Sequence, residues 1–152
     1  MIDKYLTLKK INGIIQVGAN SGQEISIFEK YTNNIILFEP NNSLYEYLKI
    51  NYNNYLIYNY ALGNSDEELK LNIDDFNVLT SDTQGYELQV LKGFGNLINN
   101  IELIICEYID SNLYENDSKL EDIKNYLIKY DFYLYDIFDV NNGAGNLVFI
   151  KK

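Results

Sequence analysis

Short apolar runs alternate with amphipathic stretches along this chain, a pattern typical of strands and helices that follow one another on a largely parallel sheet. Runs such as Ile14–Val17 and Ile35–Phe38 predict buried strands, whereas apolar residues spaced by three or four positions predict helices. The predicted strands are residues 14–17, 35–38, 55–60, 76–81, 101–106, 132–138 and 147–150, with a more exposed strand over 68–73. The predicted helices are residues 23–31, a segment capped by Asn42 or Ser43, residues 86–94 and a late helix over 120–128.

The order of these elements predicts a single α/β domain over residues 1–152. Its expected fold class is Rossmann-like, with a mostly parallel, twisted sheet and helices on both faces. The last two strands are joined through Asn141-Asn142-Gly143, which is short enough for a C-terminal antiparallel hairpin. No linker, repeat or low-complexity block divides the chain.

The composition of the chain disfavours or excludes several classes of function. The formal net charge of −10 disfavours nonspecific contact with nucleic acid or with an anionic membrane. The chain contains no His and a single Cys, Cys106, which excludes His-ligated metals and a thiolate zinc site, and Cys106 is expected in the core. Acidic groups could also hold a metal, but no tight Asp/Glu ligand pattern supports one, so no metal site is predicted. Because the sequence lacks an apolar stretch of about 20 residues and a secretory signal, we expect a cytoplasmic protein.

The first predicted strand ends in a glycine turn, Gly18 to Gly22, directly before a predicted helix. Glycine permits close approach of the backbone to a ligand, and short polar side chains lie near unpaired helix N–H groups, so the turn is a candidate site for the polar end of a nucleotide-like cofactor. It lacks the three-glycine dinucleotide pattern, which disfavours a nicotinamide-dependent oxidoreductase. A plain helix-capping loop explains the turn about as well.

Glu39 ends the second predicted strand, the one that follows the glycine turn and its helix. A carboxylate at that place can accept hydrogen bonds from both hydroxyls of an adenosine ribose, and the following Pro40 restricts Glu39 to an extended conformation. Ala61 and Leu62, which close the third strand, are small and apolar residues suited to the edge of an adenine pocket. The alternatives are a surface carboxylate at a strand end and ordinary core packing.

The fourth predicted strand leads into Asp82, and the next one into Glu107. Ligands of open α/β sheets lie beyond the carboxyl ends of the strands where the strand order reverses, so Asp82 is expected to face the same crevice as the glycine turn. Gly85 permits a sharp strand-to-helix turn, and Gln84 can direct its amide at a cofactor or an acceptor. The structural alternative is a capped turn, in which Asp82 or Thr83 starts the helix.

Together, these motifs resemble those of the FkbM-type methyltransferases, in the order in which that family carries them. The resemblance rests on residues 15–22 (IQVGANSG), 38–40 (FEP), 59–63 (NYALG), 82–93 (DTQGYELQVLKG) and 145–149 (GNLVF). The block over 82–93 is the most specific of them. The resemblance implies a class I methyltransferase fold, S-adenosylmethionine as the cofactor, and methyl transfer, usually to a hydroxyl group on a sugar or a small metabolite.

The resemblance also implies roles for individual residues. Gly18, Ala19, Asn20 and Gly22 fall at the methionine end of the cofactor, Glu39 with Pro40 at the ribose, Asn59, Ala61 and Leu62 near the adenine, and Asp82 and Gln84 near the sulfonium or the acceptor. O-methylation benefits from a carboxylate that removes the proton of the acceptor hydroxyl. Asp82 is the first candidate, Glu107 the second, and Glu87 the third if its helix faces the crevice.

One departure from the family concerns the span between Gly63 and Asp82, which is far shorter than the same span in most members. The missing piece resembles the insert that helps to close the active site and shape acceptor specificity. An alternative function is therefore a shortened relative that binds the cofactor or a partner without efficient catalysis. The expected partners are a small-molecule or glycan acceptor and, because exposed apolar surface often marks an interface, a second subunit of the same chain.

Overall fold

The computed structural model describes residues 2–63, 72–110 and 119–152 of the chain. These residues contain seven strands, β1 (Ile14–Val17), β2 (Ile35–Phe38), β3 (Leu56–Tyr58), β4 (Val78–Ser81), β5 (Leu103–Ile109), β6 (Phe132–Asn141) and β7 (Ala144–Lys151). They form one sheet in the order β3-β2-β1-β4-β5-β7-β6. Neighbouring strands from β3 to β5 run parallel, and β7 is antiparallel to both β5 and β6. The sheet is therefore mostly parallel and ends in a hairpin, as the sequence predicts.

The strand order reverses at β1, which lies between β2 and β4. Val17, at the end of β1, is in register with Phe38 of β2 and with Ser81 of β4. The residues that follow these three strands therefore emerge side by side at one edge of the sheet. This is the edge at which ligands of open α/β folds bind.

Helices cover both faces of the sheet. Within the described residues they are α1 (Asp3–Leu6), α2 (Ile25–Phe28), α3 (Asn42–Asn51), α4 (Glu87–Phe94) and α5 (Leu120–Ile128), and a 3-10 helix follows α4 over Gly95–Asn100. Ile14 packs with residues of α1, α2 and α3 on one face, while its neighbour Ile15 packs with residues of α4 and α5 on the other. Cys106 is fully buried in the second of these cores. Because both faces are buried, the parallel strands are continuous apolar runs.

The segment after the glycine turn is less helical than its spacing predicts. The helix expected over residues 23–31 is a single α-helical turn, α2, because the Lys30 and Tyr31 amides donate to carbonyls only three residues back and tighten the chain into turns. Ile25 and Phe28 nevertheless face the core as predicted, and both are fully buried.

Helix α3 has a different cap from the one expected. Asn41, not Asn42 or Ser43, is the N-cap, and its Oδ1 accepts the amides of Ser43 and Leu44 at 3.0 and 3.2 Å. The backbone of Asn41 is still extended, so the extended segment at Pro40 runs one residue further before the helix begins.

The C-terminal strands are longer than their apolar runs because they pair with one another. Strand β5 continues to Ile109 through its pairing with β7, so Glu107 lies within the strand and not at its end. The loop between β6 and β7 consists of Asn142 and Gly143, with φ of 49° and 80°. Positive φ at both positions defines a type I′ turn, for which Asn-Gly is strongly preferred.

The other differences are small. The strands predicted over 55–60 and 76–81 are shorter in the structure, where they span β3 and β4 only. The strand predicted over 68–73 falls mostly outside the described residues, and the two described residues at its end are not in a strand. No helix in the described part of the chain is long and apolar enough to cross a membrane.

Candidate functional site

A crevice with a volume of about 630 Å³ opens at the carboxyl ends of β1, β2 and β4, which is the size of a small-molecule or cofactor site. It is lined by the predicted site residues Gly18, Asn20, Glu39, Pro40, Ala61, Leu62, Asp82 and Gln84. The lining also includes Val17, Gln23, Glu24, Leu44, Tyr60, Thr83, Gly85 and Tyr86, none of which the sequence predicts as a site residue. Ala19, Gly22, Asn59 and Glu107 are predicted site residues that are not part of the lining.

The glycine turn wraps closely around the end of β2. The amides of Gly18 and Ala19 both donate to the Phe38 carbonyl at 3.0 Å. Gly18 and Gly22 have φ of 78° and 79°, a region that residues with a Cβ rarely adopt, and a Cβ on Gly22 would also lie 2.8 Å from the Tyr52 ring. Gly18 thus presents bare backbone to the crevice, while Ala19 and Gly22 hold the turn from behind.

The carboxylate of Glu39 ties the glycine turn to the start of α3. Its Oε2 accepts the Asn20 amide and its Oε1 accepts the Asn41 amide, both at 2.8 Å. Glu39 is only 5% exposed, yet it lines the crevice. Each carboxylate oxygen has a second lone pair, so both can accept a further donor from the crevice. The arrangement suits a pair of adjacent hydroxyls, such as those of a ribose.

Asn59 fixes the backbone beside Glu39 instead of lining the crevice. Its Nδ2 donates to the carbonyls of Glu39 and Pro40 at 2.9 and 3.1 Å. The side chains of Pro40, Ala61 and Leu62 contribute apolar surface to the lining. Such a surface is suited to a flat aromatic ring.

The segment that carries Ala61 and Leu62 is anchored on α4 through two glycines. A Cβ on Gly63 would lie 2.8 Å from the Tyr86 ring, and a Cβ on Gly93 would lie 2.5 Å from the Gly63 carbonyl oxygen. Two backbones approach this closely only where side chains are absent. Gly93 of the most specific sequence motif therefore has a packing role, and α4 positions this wall of the crevice.

A second carboxylate, that of Glu24, reaches the crevice from the segment after the glycine turn. Gln16, which is 4% exposed within β1, donates its Nε2 to Glu24 Oε2 at 2.9 Å. The sequence analysis missed this pair because Glu24 has the position of an ordinary polar residue on a helix. The one available signal was Gln16 itself, a polar residue inside an apolar strand.

Asp82 directly follows β4, and Glu107 lies on the neighbouring strand β5. The two side chains share one amide donor. The Nε2 of Gln84 donates to Asp82 Oδ1 at 2.9 Å and to Glu107 Oε2 at 3.3 Å. Partial burial, and then the negative charges of Asp82 and Glu87, raise the pKa of Glu107 to about 7. The pair of carboxyl groups can therefore accept and release a proton near neutral pH.

Glu87 begins α4 and is fully buried. Its Oε1 accepts the Thr83 amide at 2.8 Å, the Thr83 hydroxyl at 2.9 Å and the Gly85 amide at 3.4 Å. Burial raises the pKa of Glu87, and the hydrogen bonds from Thr83 oppose that rise. Since its side chain is not part of the lining, Glu87 does not face the crevice as a third candidate base would need to.

Solved structures that resemble this chain are methyltransferases of one fold. Ribosomal protein L11 methylase from Lactobacillus delbrueckii subsp. bulgaricus matches with a TM-score of 0.69 and 15% identity, over 99% of this chain and 74% of that one. Magnesium protoporphyrin IX methyltransferase from Synechocystis PCC 6803, solved with bound S-adenosylmethionine, matches with a TM-score of 0.68 and 10% identity. The match covers 99% of this chain and 76% of that one. A TehB-like S-adenosylmethionine-dependent methyltransferase from Corynebacterium glutamicum matches with a TM-score of 0.64 and 12% identity. The match covers 99% of this chain and 87% of that one. These matches confirm the predicted class I methyltransferase fold.

The family comparison is more specific than the fold. The model of the methyltransferase FkbM domain matches residues 66–134, which include the motif over 82–93, and confirms the resemblance found in the sequence. Two of the matching structures, both of the magnesium protoporphyrin IX methyltransferase from Synechocystis PCC 6803, hold S-adenosylmethionine and its demethylated product, S-adenosylhomocysteine. The comparison with curated protein sequences gave no match.

Proposed function

We propose that the protein transfers the methyl group of S-adenosylmethionine to a hydroxyl oxygen of a sugar or a small metabolite. The observation that carries this proposal is the pair Asp82 and Glu107, bridged by the Gln84 amide beside the crevice. A neutral hydroxyl that becomes an ether must lose its proton, and a carboxylate that titrates near neutral pH is suited to accept it.

We propose one orientation of the cofactor in the crevice, with its ribose at Glu39. In this proposal the two oxygens of Glu39 accept the ribose hydroxyls, and the adenine packs against Ala61 and Leu62. The methionine end lies along the exposed backbone of Gly18 and Asn20. When bound, S-adenosylmethionine supplies a methyl group on a positively charged sulfonium, which makes that methyl group electrophilic.

The carboxyl pair supplies the base. Asp82 is the residue that receives the acceptor proton in this proposal, because it lines the crevice. Glu107 shares the Gln84 amide with Asp82 and has a pKa of about 7, so the two carboxyl groups share the proton after Asp82 has taken it. Holding the acceptor hydroxyl in line with the methyl group is the second contribution of the crevice.

The charge of the lining supports a neutral or cationic acceptor. Glu24, Glu39 and Asp82 line the crevice, and none of the lining residues in the described part of the chain is Lys or Arg. An acceptor that carries phosphate groups would be repelled by these carboxylates. We therefore propose a small-molecule or glycan acceptor and not a nucleic acid.

Calorimetry with S-adenosylmethionine, followed by methyl-transfer assays on a panel of hydroxylated sugars and metabolites, tests the proposal. We expect binding and transfer by the wild-type protein, and a rate lower by at least about 100-fold for Asp82→Asn. Asp122→Asn, on the exposed first turn of α5, is the matched control and should keep the wild-type rate.

Two other outcomes decide between the alternatives. Binding of S-adenosylmethionine without transfer to any acceptor would favour a shortened relative that binds the cofactor without efficient catalysis. Failure to bind either S-adenosylmethionine or its demethylated product would contradict both functions.

A further inference from the structure

The turn between β4 and α4 is held by a buried carboxylate that does not face the crevice. Oε1 of Glu87 accepts all three hydrogen bonds described above, two from Thr83 and one from Gly85. Its other oxygen, Oε2, has no hydrogen-bond partner among the described residues. A fully buried acidic side chain is costly to place, and its hydrogen bonds with this turn offset part of that cost.

The same turn contains an unusual backbone conformation. Gln84 has a φ of 58° and Gly85 a φ of 102°. Glycine adopts positive φ readily, but a residue with a side chain does so only where the surrounding groups hold it. The bonds from Thr83 and Gly85 to Glu87 lie on either side of Gln84 along the chain, so Glu87 holds this conformation from both sides.

The backbone of Gln84 determines where its side chain points. In this conformation the Gln84 amide reaches both Asp82 and Glu107, at 2.9 and 3.3 Å. If the turn relaxed to negative φ at Gln84, the side chain would leave in another direction and the bridge between the two carboxyl groups would be lost. The Gln84 bridge between Asp82 and Glu107 therefore depends on the turn, and the turn depends on Glu87 Oε1 as the acceptor of its hydrogen bonds.

We infer that Glu87 is a positioning residue for the candidate catalytic pair, because its Oε1 fixes the turn that keeps the Gln84 amide between Asp82 and Glu107. Glu87 acts through the turn and touches neither cofactor nor acceptor. The catalytic consequence rests on the proposed function, whereas the control of the turn does not.

The charge of Glu87 has a separate effect, which the experiment must distinguish from its role as an acceptor. The titratable groups that interact with it are Asp82 at the end of β4 and Cys106 and Glu107 on β5. Its negative charge raises the pKa of Glu107, so any variant that removes this charge should lower that pKa.

Three variants test the inference. Glu87→Ala removes the acceptor and the charge, whereas Glu87→Gln removes the charge but keeps an oxygen that can accept the same three hydrogen bonds. Glu121→Ala is the matched control, because Glu121 lies in the first turn of α5 as Glu87 lies in the first turn of α4, but its side chain is exposed.

The first readout needs neither cofactor nor acceptor. Hydrogen exchange of the Thr83 and Gly85 amides and the NMR signals of the Gln84 side-chain amide report directly on the turn. We expect slow exchange in the wild type, Glu87→Gln and Glu121→Ala, and an increase of at least about tenfold in Glu87→Ala. Unchanged exchange and unchanged Gln84 signals in Glu87→Ala would overturn the inference.

The second readout is methyl transfer to the acceptor found in the panel. We expect Glu87→Ala to lower kcat by about 10-fold or more with the Kd of S-adenosylmethionine changed by less than about threefold, and Glu87→Gln to restore most of the rate. A kcat for Glu87→Ala equal to that of Glu121→Ala, or a Glu87→Gln protein as slow as Glu87→Ala, would contradict the positioning role.

The design separates failure of the inference from failure of the proposed function. If the wild-type protein binds S-adenosylmethionine but methylates nothing, the proposed function fails, and amide exchange still decides whether Glu87 controls the turn. If Glu87→Ala does not fold, Thr83→Val takes its place, since it removes one of the three hydrogen bonds and keeps the side-chain shape. We then expect faster exchange of the Thr83 and Gly85 amides, and wild-type exchange would overturn the inference.

Discussion

The main-chain carbonyl of Asp82 occupies the space that a Cβ on Gly18 would need. The Asp82 amide in turn donates to the Val17 carbonyl at 3.0 Å, which draws the end of β4 against the glycine turn. Gly18 and Asp82 are far apart along the chain, so this contact forms only when β1 and β4 pair. Gly18 is therefore required both for its positive φ and for this close approach.

Gly18→Ala should displace the glycine turn from Asp82. We expect S-adenosylmethionine to bind at least about 10-fold more weakly, and the free energy of unfolding to fall by about 2–4 kcal/mol. Calorimetry and thermal denaturation measure the two effects. Gly95→Ala is the control, because Gly95 also has positive φ but nothing lies within 4 Å of an added Cβ. It should lose stability through backbone strain and bind the cofactor normally; equal binding by both variants would contradict the prediction.

Glu39→Gln should weaken the binding of S-adenosylmethionine by about 10-fold or more. Both carboxylate oxygens accept backbone amides, so a Gln side chain has to place its NH2 group against the amide of Asn20 or of Asn41. The NH2 group also cannot accept a hydrogen bond from a ribose hydroxyl, as the carboxylate oxygen that it replaces can. Calorimetry gives the Kd, and Glu46→Gln on the exposed side of α3 should leave it unchanged. Wild-type affinity in Glu39→Gln would show that Glu39 does not bind the ribose.

Elements that depend on local signals were predictable from the sequence. Strands β1 and β2 have the predicted bounds because residues that disrupt strands follow their apolar runs, Gly18 directly after β1 and Pro40 two residues after the end of β2. The hairpin turn was predictable because Asn142 and Gly143 both tolerate positive φ. The residues that line the crevice were predictable for a similar reason. They follow predicted parallel strands, and the carboxyl ends of such strands meet at one edge of the sheet.

The specific partners that side chains and glycines find in distant parts of the chain were not predictable. Asn59 was expected near the adenine, but its amide finds two backbone carbonyls that only the pairing of β2 with β3 brings within reach. Gly93 belongs to a motif that the sequence identifies, yet the backbone that requires a glycine there is that of Gly63, on a segment that precedes β4. Glu87 has an ordinary position in an amphipathic helix, and its burial follows from the turn that it holds.

The stability of the protein should depend on pH through Glu107. Its pKa is about 7 in the folded protein against an ordinary value of 4.5, so between these values the folded state keeps a proton that the unfolded chain releases. The free energy of unfolding should therefore fall as the pH rises from about 4.5 to about 7. Melting temperatures of the wild type and of Glu107→Gln across this range test the prediction.

The comparison between the two proteins isolates the contribution of Glu107. We expect a shallower decline for Glu107→Gln, but not a flat line, because burial raises the pKa of Glu87 as well and this group acts in the same direction. Parallel curves for the two proteins would mean that Glu107 is not titrating with a raised pKa.

Asp82→Asn should reduce the preference for S-adenosylmethionine over its demethylated product. The cofactor carries a positive sulfonium that the product lacks, and a carboxylate in the lining stabilises only the charged form. At a separation of several ångströms in a partly solvated site this attraction is about 1 kcal/mol, so we expect the ratio of the two Kd values to change by about fivefold in the variant. Calorimetry with both ligands measures the ratio, and Asp122→Asn should reproduce that of the wild type. Because the prediction concerns binding only, it holds whether or not the acceptor is known. An unchanged ratio in Asp82→Asn would place the sulfonium away from Asp82 and remove the reason for assigning that residue to the reacting end of the crevice.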